Sequence, residues 1–230
     1  LCKSETTLAN SQKQYQQARE AFRQIGHLPE RVANSVRKRF NNACKQYEQR
    51  LRSLKNRQQH EQQGELLRKV RLCQRMERLA VELPQSHADQ AAEITDSWIS
   101  ETSAPKPLLQ KLEKRLQYAR EALSKHAAGE TSTAGYTLNQ DLERAQLLCI
   151  RAEIIADITS PAEAREQRMQ YQLSLLGAAM TGGIDTNKPA AEQTAELIGD
   201  WISVGPLEIS QFDLLETRLK KALDALNKKR

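Results

Sequence analysis

Aromatic residues are scarce in this chain of 230 residues, where Phe, Trp and Tyr together make up only 4%. A core with so few rings is not typical of a compact α/β enzyme. Hydrophobic residues still make up 39% of the chain, which is too many for a disordered protein. No run of 18 or more apolar residues occurs, so we expect no membrane-spanning helix.

Signals for strands and for breaks are also few. The nine glycines and seven prolines are spread thinly, and no β-branched cluster alternates with polar residues. Most of the chain is rich in Ala, Leu, Glu, Gln, Lys and Arg, whose side chains lose little freedom in a helix. The composition therefore predicts an all-α protein with long helices.

The four cysteines form no CxxC pair and have no histidine at metal-ligand spacing. Cys2, Cys44, Cys73 and Cys149 lie within helical patterns, where a buried free thiol packs as a small hydrophobic group. Free thiols suit a reducing compartment, and the first residues lack the features of a signal peptide. We therefore expect a cytoplasmic protein without a metal or other cofactor. The absence of an initiator Met indicates a piece of a longer chain.

Candidates for catalysis are equally sparse. The four histidines are far apart in the sequence. Glu77 and Glu153 recur at the same place in two similar segments, but one acid per helix is not the pair that acid–base catalysis needs. The sequence therefore predicts no enzyme activity and no small-molecule substrate.

Acidic residues are rare in one third of the chain. Between Arg19 and Arg78 there are 16 Lys and Arg against 6 Glu, and no Asp. Residues 79–230 carry 17 basic and 22 acidic residues. The net charge of +6 therefore combines a strongly basic segment with a mildly acidic remainder. A segment dominated by one sign favours a partner of the opposite sign.

Two short runs recur three times in the same order. The first run reads LCKSETTLA, LCQRMERLA and LCIRAEIIA, starting at Leu1, Leu72 and Leu148. The second run reads KRFNNA, KRLQYA and TRLKKA, and its Arg follows an aromatic residue by 17 positions each time: Phe22 and Arg39, Trp98 and Arg115, Trp201 and Arg218.

Runs that recur in a fixed order are typical of helical-repeat proteins; here the aromatic-to-Arg spacing is constant, whereas the connection before the aromatic residue varies in length. We predict repeat units at residues 1–71, 72–147 and 148–230, the third with a helical insertion at about 164–185. The predicted fold is an elongated array of tandem helical hairpins with long, partly coiled-coil-like helices.

The basic segment has the pattern of an amphipathic helix. From Arg31 onward, apolar residues recur every three or four positions on one stripe: Val32, Val36, Phe40, Ala43, Tyr47, Leu51 and Leu54. We expect the preceding helix, which ends near Ile25, to cover this stripe and to bring Phe22 against Phe40. Asn56–Gly64 contains no apolar residue, so the helix either projects into solvent there or breaks near Gly64.

The first unit resembles a known bacterial family. The matching residues are Phe22, Ile25, Gly26, Pro29, Arg39, Phe40, Ala43, Cys44 and Tyr47, followed by the LC-x-x-x-E-x-L-A run at Leu72–Ala80. This order is similar to the repeat called domain of unknown function 349, although that family usually has Trp at the position of Phe22. The resemblance is clear over about residues 13–83. It implies a cytoplasmic protein of tandem helical repeats, and it brings no activity, cofactor or catalytic residue.

Basic residues occupy the face opposite the apolar stripe. Arg31, Lys38, Lys45 and Arg52 are seven residues apart, which keeps them nearly aligned along a helix. The full set of candidate binding residues is Arg31, Arg37, Lys38, Arg39, Lys45, Arg50, Arg52, Lys55 and Arg57. A strip of this kind suits a phosphate backbone. Base stacking is not expected, because Phe40 and Tyr47 face the helix pair.

Three interpretations of this strip are open. It binds nucleic acid, with RNA or a ribonucleoprotein favoured over DNA; it binds an acidic protein, as part of a structural or scaffold protein; or it is an ordinary solvated surface. The lack of Asp favours the first, because a solvated helix face usually mixes both signs.

Overall fold

The computed structural model describes residues 5–26, 29–81, 88–98, 104–127, 136–180 and 188–229. All secondary structure in these ranges is helical, which confirms the predicted all-α class. The helices are α1 (Glu5–Gln24), α2 (Glu30–Val81), α3 (Ala88–Asp96), α4 (Lys106–Ala127), α5 (Leu142–Ala156), α6 (Arg165–Met180), α7 (Ala190–Trp201) and α8 (Ile209–Lys229), with a 3₁₀ turn at Ala162–Ala164.

The helix α2 runs without a break through Gly64, so the break considered at that position does not occur. Internal contacts divide the chain into a first unit, residues 1–54, and a second unit, residues 55–230, and α2 contributes to both. The three predicted repeat boundaries stay predictions.

The first unit is a hairpin of α1 and the first part of α2. Phe22 stacks on Phe40 with ring centroids 3.8 Å apart, as the sequence predicted. About two helical turns further along, Tyr15 stacks on Tyr47 with centroids 4.5 Å apart. These aromatic pairs hold the two helices together where few aliphatic side chains are available.

The second unit contains the main hydrophobic core. Its centre is formed by fully buried side chains of five helices: Cys73, Met76, Leu112, Cys149, Trp201, Phe212 and Leu219. The polar segment Asn56–Gly64 belongs to this unit and neither projects freely nor breaks. Nδ2 of Asn227 in α8 donates to Oε1 of Gln63 at 3.0 Å and lies 3.1 Å from Nδ1 of His60. Two residues of this segment, His60 and Gln63, thus pack through polar groups.

The same buried contact occurs twice in the second unit. Arg115 of α4 forms a two-pronged ion pair with Glu77 of α2. Arg218 of α8 forms the equivalent pair with Glu153 of α5, with N–O distances of 2.9 and 3.0 Å. Each Glu is the sixth residue of an LC run, and each Arg is the Arg of the following second run.

The cysteines of these two runs also make matching contacts. The Cys73 thiol donates to the carbonyl of Leu112 at 3.6 Å, and the Cys149 thiol donates to that of Leu215 at 3.3 Å. The recurring letters in the sequence therefore correspond to a recurring set of helix contacts.

The insertion predicted at about residues 164–185 contains a helix, since α6 covers Arg165–Met180. Residues 181–187 lie outside the part that the structure describes. The helix α6 contacts α5 and the preceding 3₁₀ turn.

We expect the loss of one partner of the buried Glu77–Arg115 pair to destabilise the chain, whereas replacing both partners with apolar residues should cost much less. Glu77→Leu should lower the free energy of unfolding by about 3 kcal/mol, because it leaves the Arg115 charge buried and unpaired. The double substitution Glu77→Leu/Arg115→Met should recover most of that loss. Denaturant unfolding measures both values.

The exposed pair Arg57–Glu61 provides the control, and removing it should cost less than about 1 kcal/mol. A double variant that is no more stable than Glu77→Leu would contradict this account of the buried pair.

The buried cysteines should be protected from thiol reagents in the folded chain. Cys73 and Cys149 are fully buried, and burial raises the pKa of both thiols to about 12. Little reactive thiolate is therefore present at pH 8. Peptide mapping after brief alkylation should find Cys44, which is half-buried, labelled well before either of them. Equal labelling of all three would refute the described packing.

Candidate nucleic-acid interface

The continuity of α2 brings the candidate cations onto common faces. Seven residues complete nearly two helical turns, so Lys38, Lys45 and Arg52 are offset by only about 20° from one to the next. The stripe that contains Phe40 and Tyr47 points towards α1. Helix geometry therefore places the backbone positions of the three cations away from that stripe, and the side chain of Lys45 also reaches the edge of the helix pair.

Eight of the nine candidate side chains are exposed: Arg37, Lys38, Arg39, Lys45, Arg50, Arg52, Lys55 and Arg57. Arg31 lies within α2, but its side chain is outside the described part of the structure. Arg57 donates to Glu61 at 2.9 Å. Among the described residues, the other seven exposed cations form no ion pair with an acid.

One acid, Glu48, lies between Arg31 and Lys55 in the sequence, and α1 engages it. The Tyr15 hydroxyl donates to its carboxylate, and Nη1 of Arg19 lies 3.8 Å from the same oxygen. The hydrogen bond to Glu48 raises the pKa of Tyr15 to about 12. The carboxylate is thus directed towards α1.

The later basic residues of α2 serve the second unit instead. Nζ of Lys69 lies 4.1 Å from the centre of the Trp98 ring, and burial lowers its pKa. Arg71 binds Glu216 and Asp213, and Arg78 donates to the Leu207 carbonyl at 3.2 Å. The basic segment seen in the sequence therefore combines an exposed part with a part that stabilises the core.

Arg39 illustrates the difference between the two parts. It occupies the same position in its run as Arg115 and Arg218, which form ion pairs with buried carboxylates. The sixth residue of the first LC run is Thr6 rather than Glu. The first unit thus lacks the acid that holds the equivalent Arg elsewhere, and Arg39 is exposed.

A groove of about 390 Å³ lies between α1 and α2 within the first unit. Its walls include the cations Arg19, Arg23 and Lys45 and the half-buried rings of Phe22 and Phe40. The apolar stripe of α2 predicted that Phe40 lies against α1, but not that its ring also lines a groove. The cations of α1 were not among the predicted binding residues, although Arg19 and Arg23 are four residues apart, a spacing that puts them on a common face.

The comparison with known families gives one result. Residues 35–106 match the family described as Domain of Unknown Function (DUF349). The resemblance to this family that the sequence indicated is thus confirmed over this segment. Compared with the predicted extent of about 13–83, the match starts after α1 and continues to the beginning of α4.

The eight exposed candidate cations all lie inside the DUF349 segment, and Arg31 lies just before it. Searches among curated proteins and among solved structures found no significant match.

The described residues offer little for other kinds of site. They contain no group of three or more His, Cys, Asp or Glu arranged to hold a metal ion. None of the described helices combines the length and the hydropathy that crossing a membrane requires.

The position of Glu48 can be tested through Tyr15. Glu48→Ala removes the carboxylate that accepts the hydrogen bond from the Tyr15 hydroxyl. It should therefore lower the Tyr15 pKa from about 12 towards its ordinary value. A spectrophotometric titration measures this shift, with a Tyr15→Phe chain subtracted to isolate the one ring. An unchanged Tyr15 pKa would show that Glu48 is not held by α1.

Proposed function

We propose that this chain is a non-catalytic cytoplasmic binding module that docks on the phosphate backbone of nucleic acid, with RNA or a ribonucleoprotein favoured over DNA. The observation that supports the proposal is the set of exposed cations on α2, from Arg37 to Lys55, without acid partners among the described residues. An ordinary solvated helix face would mix both signs and pair many of them.

The spacing of the cations suits a phosphate chain. Seven residues of helix rise about 10 Å, which is close to three steps of the 3.4 Å rise along one nucleic-acid strand. Lys38, Lys45 and Arg52 can therefore meet phosphates at a regular interval. Each neutralised phosphate releases condensed counterions, so the interaction becomes weaker as the salt concentration rises.

RNA is favoured because it presents unpaired segments more often than DNA. An unpaired strand can follow a single straight helix, and its bases can approach aromatic side chains. The half-buried rings of Phe22 and Phe40 lie beside Lys45 in the groove of the first unit. We expect weak sequence preference, since backbone contacts carry no base information.

The alternative partner is an acidic protein, with the chain acting as a scaffold. Carboxylates would meet the same exposed cations, and α2 would then pair with an acidic helix. The two partners differ in the regularity and density of their charge, and direct binding experiments separate them.

Neutralising the strip should weaken nucleic-acid binding without regard to sequence. The variant Lys38→Gln/Lys45→Gln/Arg52→Gln should bind mixed-sequence RNA less tightly. The slope of log affinity against log salt should become shallower by about 3 for a duplex and about 2 for a single strand. Fluorescence anisotropy at several salt concentrations measures both quantities.

The matched control is Lys111→Gln/Lys114→Gln/Lys125→Gln, which removes the same charge from exposed positions of α4. This control should keep most of the affinity and the original slope. If both triple variants lose affinity equally, only the net charge matters and the strip is not the site. If the unmodified chain binds no nucleic acid at low salt but binds an acidic protein, the alternative is correct.

A further inference from the structure

The helix α6 exposes four large apolar side chains on one stripe. Met169, Leu173, Leu176 and Met180 are 58%, 61%, 62% and 89% exposed, although they lie one above the other along the helix. No residue of α6 is buried. Exposed apolar residues scattered singly are normal, but four in line form a contact surface.

The opposite side of α6 is already occupied. Tyr171, Leu175 and Ala178 are half-buried on that side, and Nη1 of Arg168 donates to the Ile158 carbonyl at 2.6 Å. The helix is therefore apolar on two faces, of which one is covered within the chain. The described residues leave the Met169–Met180 stripe uncovered.

The stripe reads the same from either end of α6, both in the spacing and in the type of its residues. The spacings are 4, 3 and 4, with Leu at the two central positions and Met at the two ends. This is the spacing of a coiled-coil seam. In an antiparallel pair, Leu173 would meet the partner's Leu176, and Met169 would meet the partner's Met180. A contact about a two-fold axis requires this self-complementarity.

Charge also favours a second copy as the partner. The charged residues of α6 are Arg165, Glu166 and Arg168, all in its first turn, and Met169–Met180 contains none. Two copies can therefore meet along the stripe without bringing like charges together. A charged amphipathic helix from another protein would find no opposite charge beside this stripe.

We propose that the chain self-associates through an antiparallel pairing of α6 with α6 of a second copy, centred between Leu173 and Leu176. The contact lies in residues 165–180 and is independent of the cations on α2. One helix face offers less than the roughly 800 Å² per partner of a standard interface, so the dimer dissociates on dilution.

Sedimentation equilibrium over a range of concentrations tests the proposal. The mass of the unmodified chain should rise with concentration towards twice the monomer mass. Leu173→Gln/Leu176→Gln should raise the dissociation constant at least about tenfold, because it replaces the two central apolar contacts. The control Leu147→Gln/Leu214→Gln changes two other exposed leucines, on α5 and α8, and should leave the dissociation constant unchanged.

A monomer mass at every concentration would overturn the proposal. An equal effect of the two double variants would also overturn it, because it would show general surface hydrophobicity rather than the α6 stripe. Circular dichroism of each variant checks that the helices remain intact, as exposed Leu→Gln changes should allow.

Disulfide trapping tests the direction of the pairing. In a chain with Cys2→Ser and Cys44→Ser, an oxidised mixture of Met169→Cys and Met180→Cys chains should form a cross-linked dimer, since the two positions face each other across the contact. Either chain alone should not form it, because 11 residues of helix separate the two sites by about 16 Å. Cross-linking of Met169→Cys with itself would show a parallel pair and refute the antiparallel contact.

Discussion

Two arginines that join helices of the second unit, Arg115 and Arg218, each lie against a buried carboxylate, and much of that unit's packing depends on this pairing. Removing an ionised side chain from water is costly, and the cost is offset only by close pairing and hydrogen bonds. Glu77 and Glu153 supply that pairing to Arg115 and Arg218, and so join the helices of the second unit. Burial alone would lower the pKa of Arg115, but its hydrogen bonds to Glu77 and the carboxylate's negative charge raise it. The first unit has Thr6 in place of the acid, and its equivalent Arg39 stays at the surface.

The same helix therefore has two roles along its length. From Lys69 to Arg78, the cations of α2 meet carboxylates, a carbonyl and a Trp ring, and they stabilise the core. In residues 37–55, the cations are exposed, and the one neighbouring acid, Glu48, is engaged by α1. Total charge does not distinguish these roles, because it counts Lys69 and Lys45 alike. The position of each partner distinguishes them, and it supports a binding role for the earlier residues alone.

Local sequence patterns predicted the helices well. The continuity of α2, the exposed face of α6 and the groove depend instead on contacts between residues distant in the sequence. The stripe of α2 was sufficient to predict the stacking of Phe22 on Phe40, because the two residues lie across a short connection. Continuity through Gly64 was not predictable, since the polar residues before it are satisfied by Asn227, which is 164 positions away from Gln63. The insertion was recognised as helical, but its exposed face depends on how α6 lies on α5. The groove, likewise, depends on how α1 lies on α2.

The proposed binding surface for nucleic acid is the set of exposed cations on the first part of α2. Photo-crosslinking of bound RNA to the unmodified chain, followed by mapping of the linked peptides, tests it most directly. We expect crosslinks in peptides from Arg37 to Arg57, together with peptides of α1 that border the groove. Crosslinks found only between residues 88 and 229, or none under conditions in which RNA binds, would contradict it.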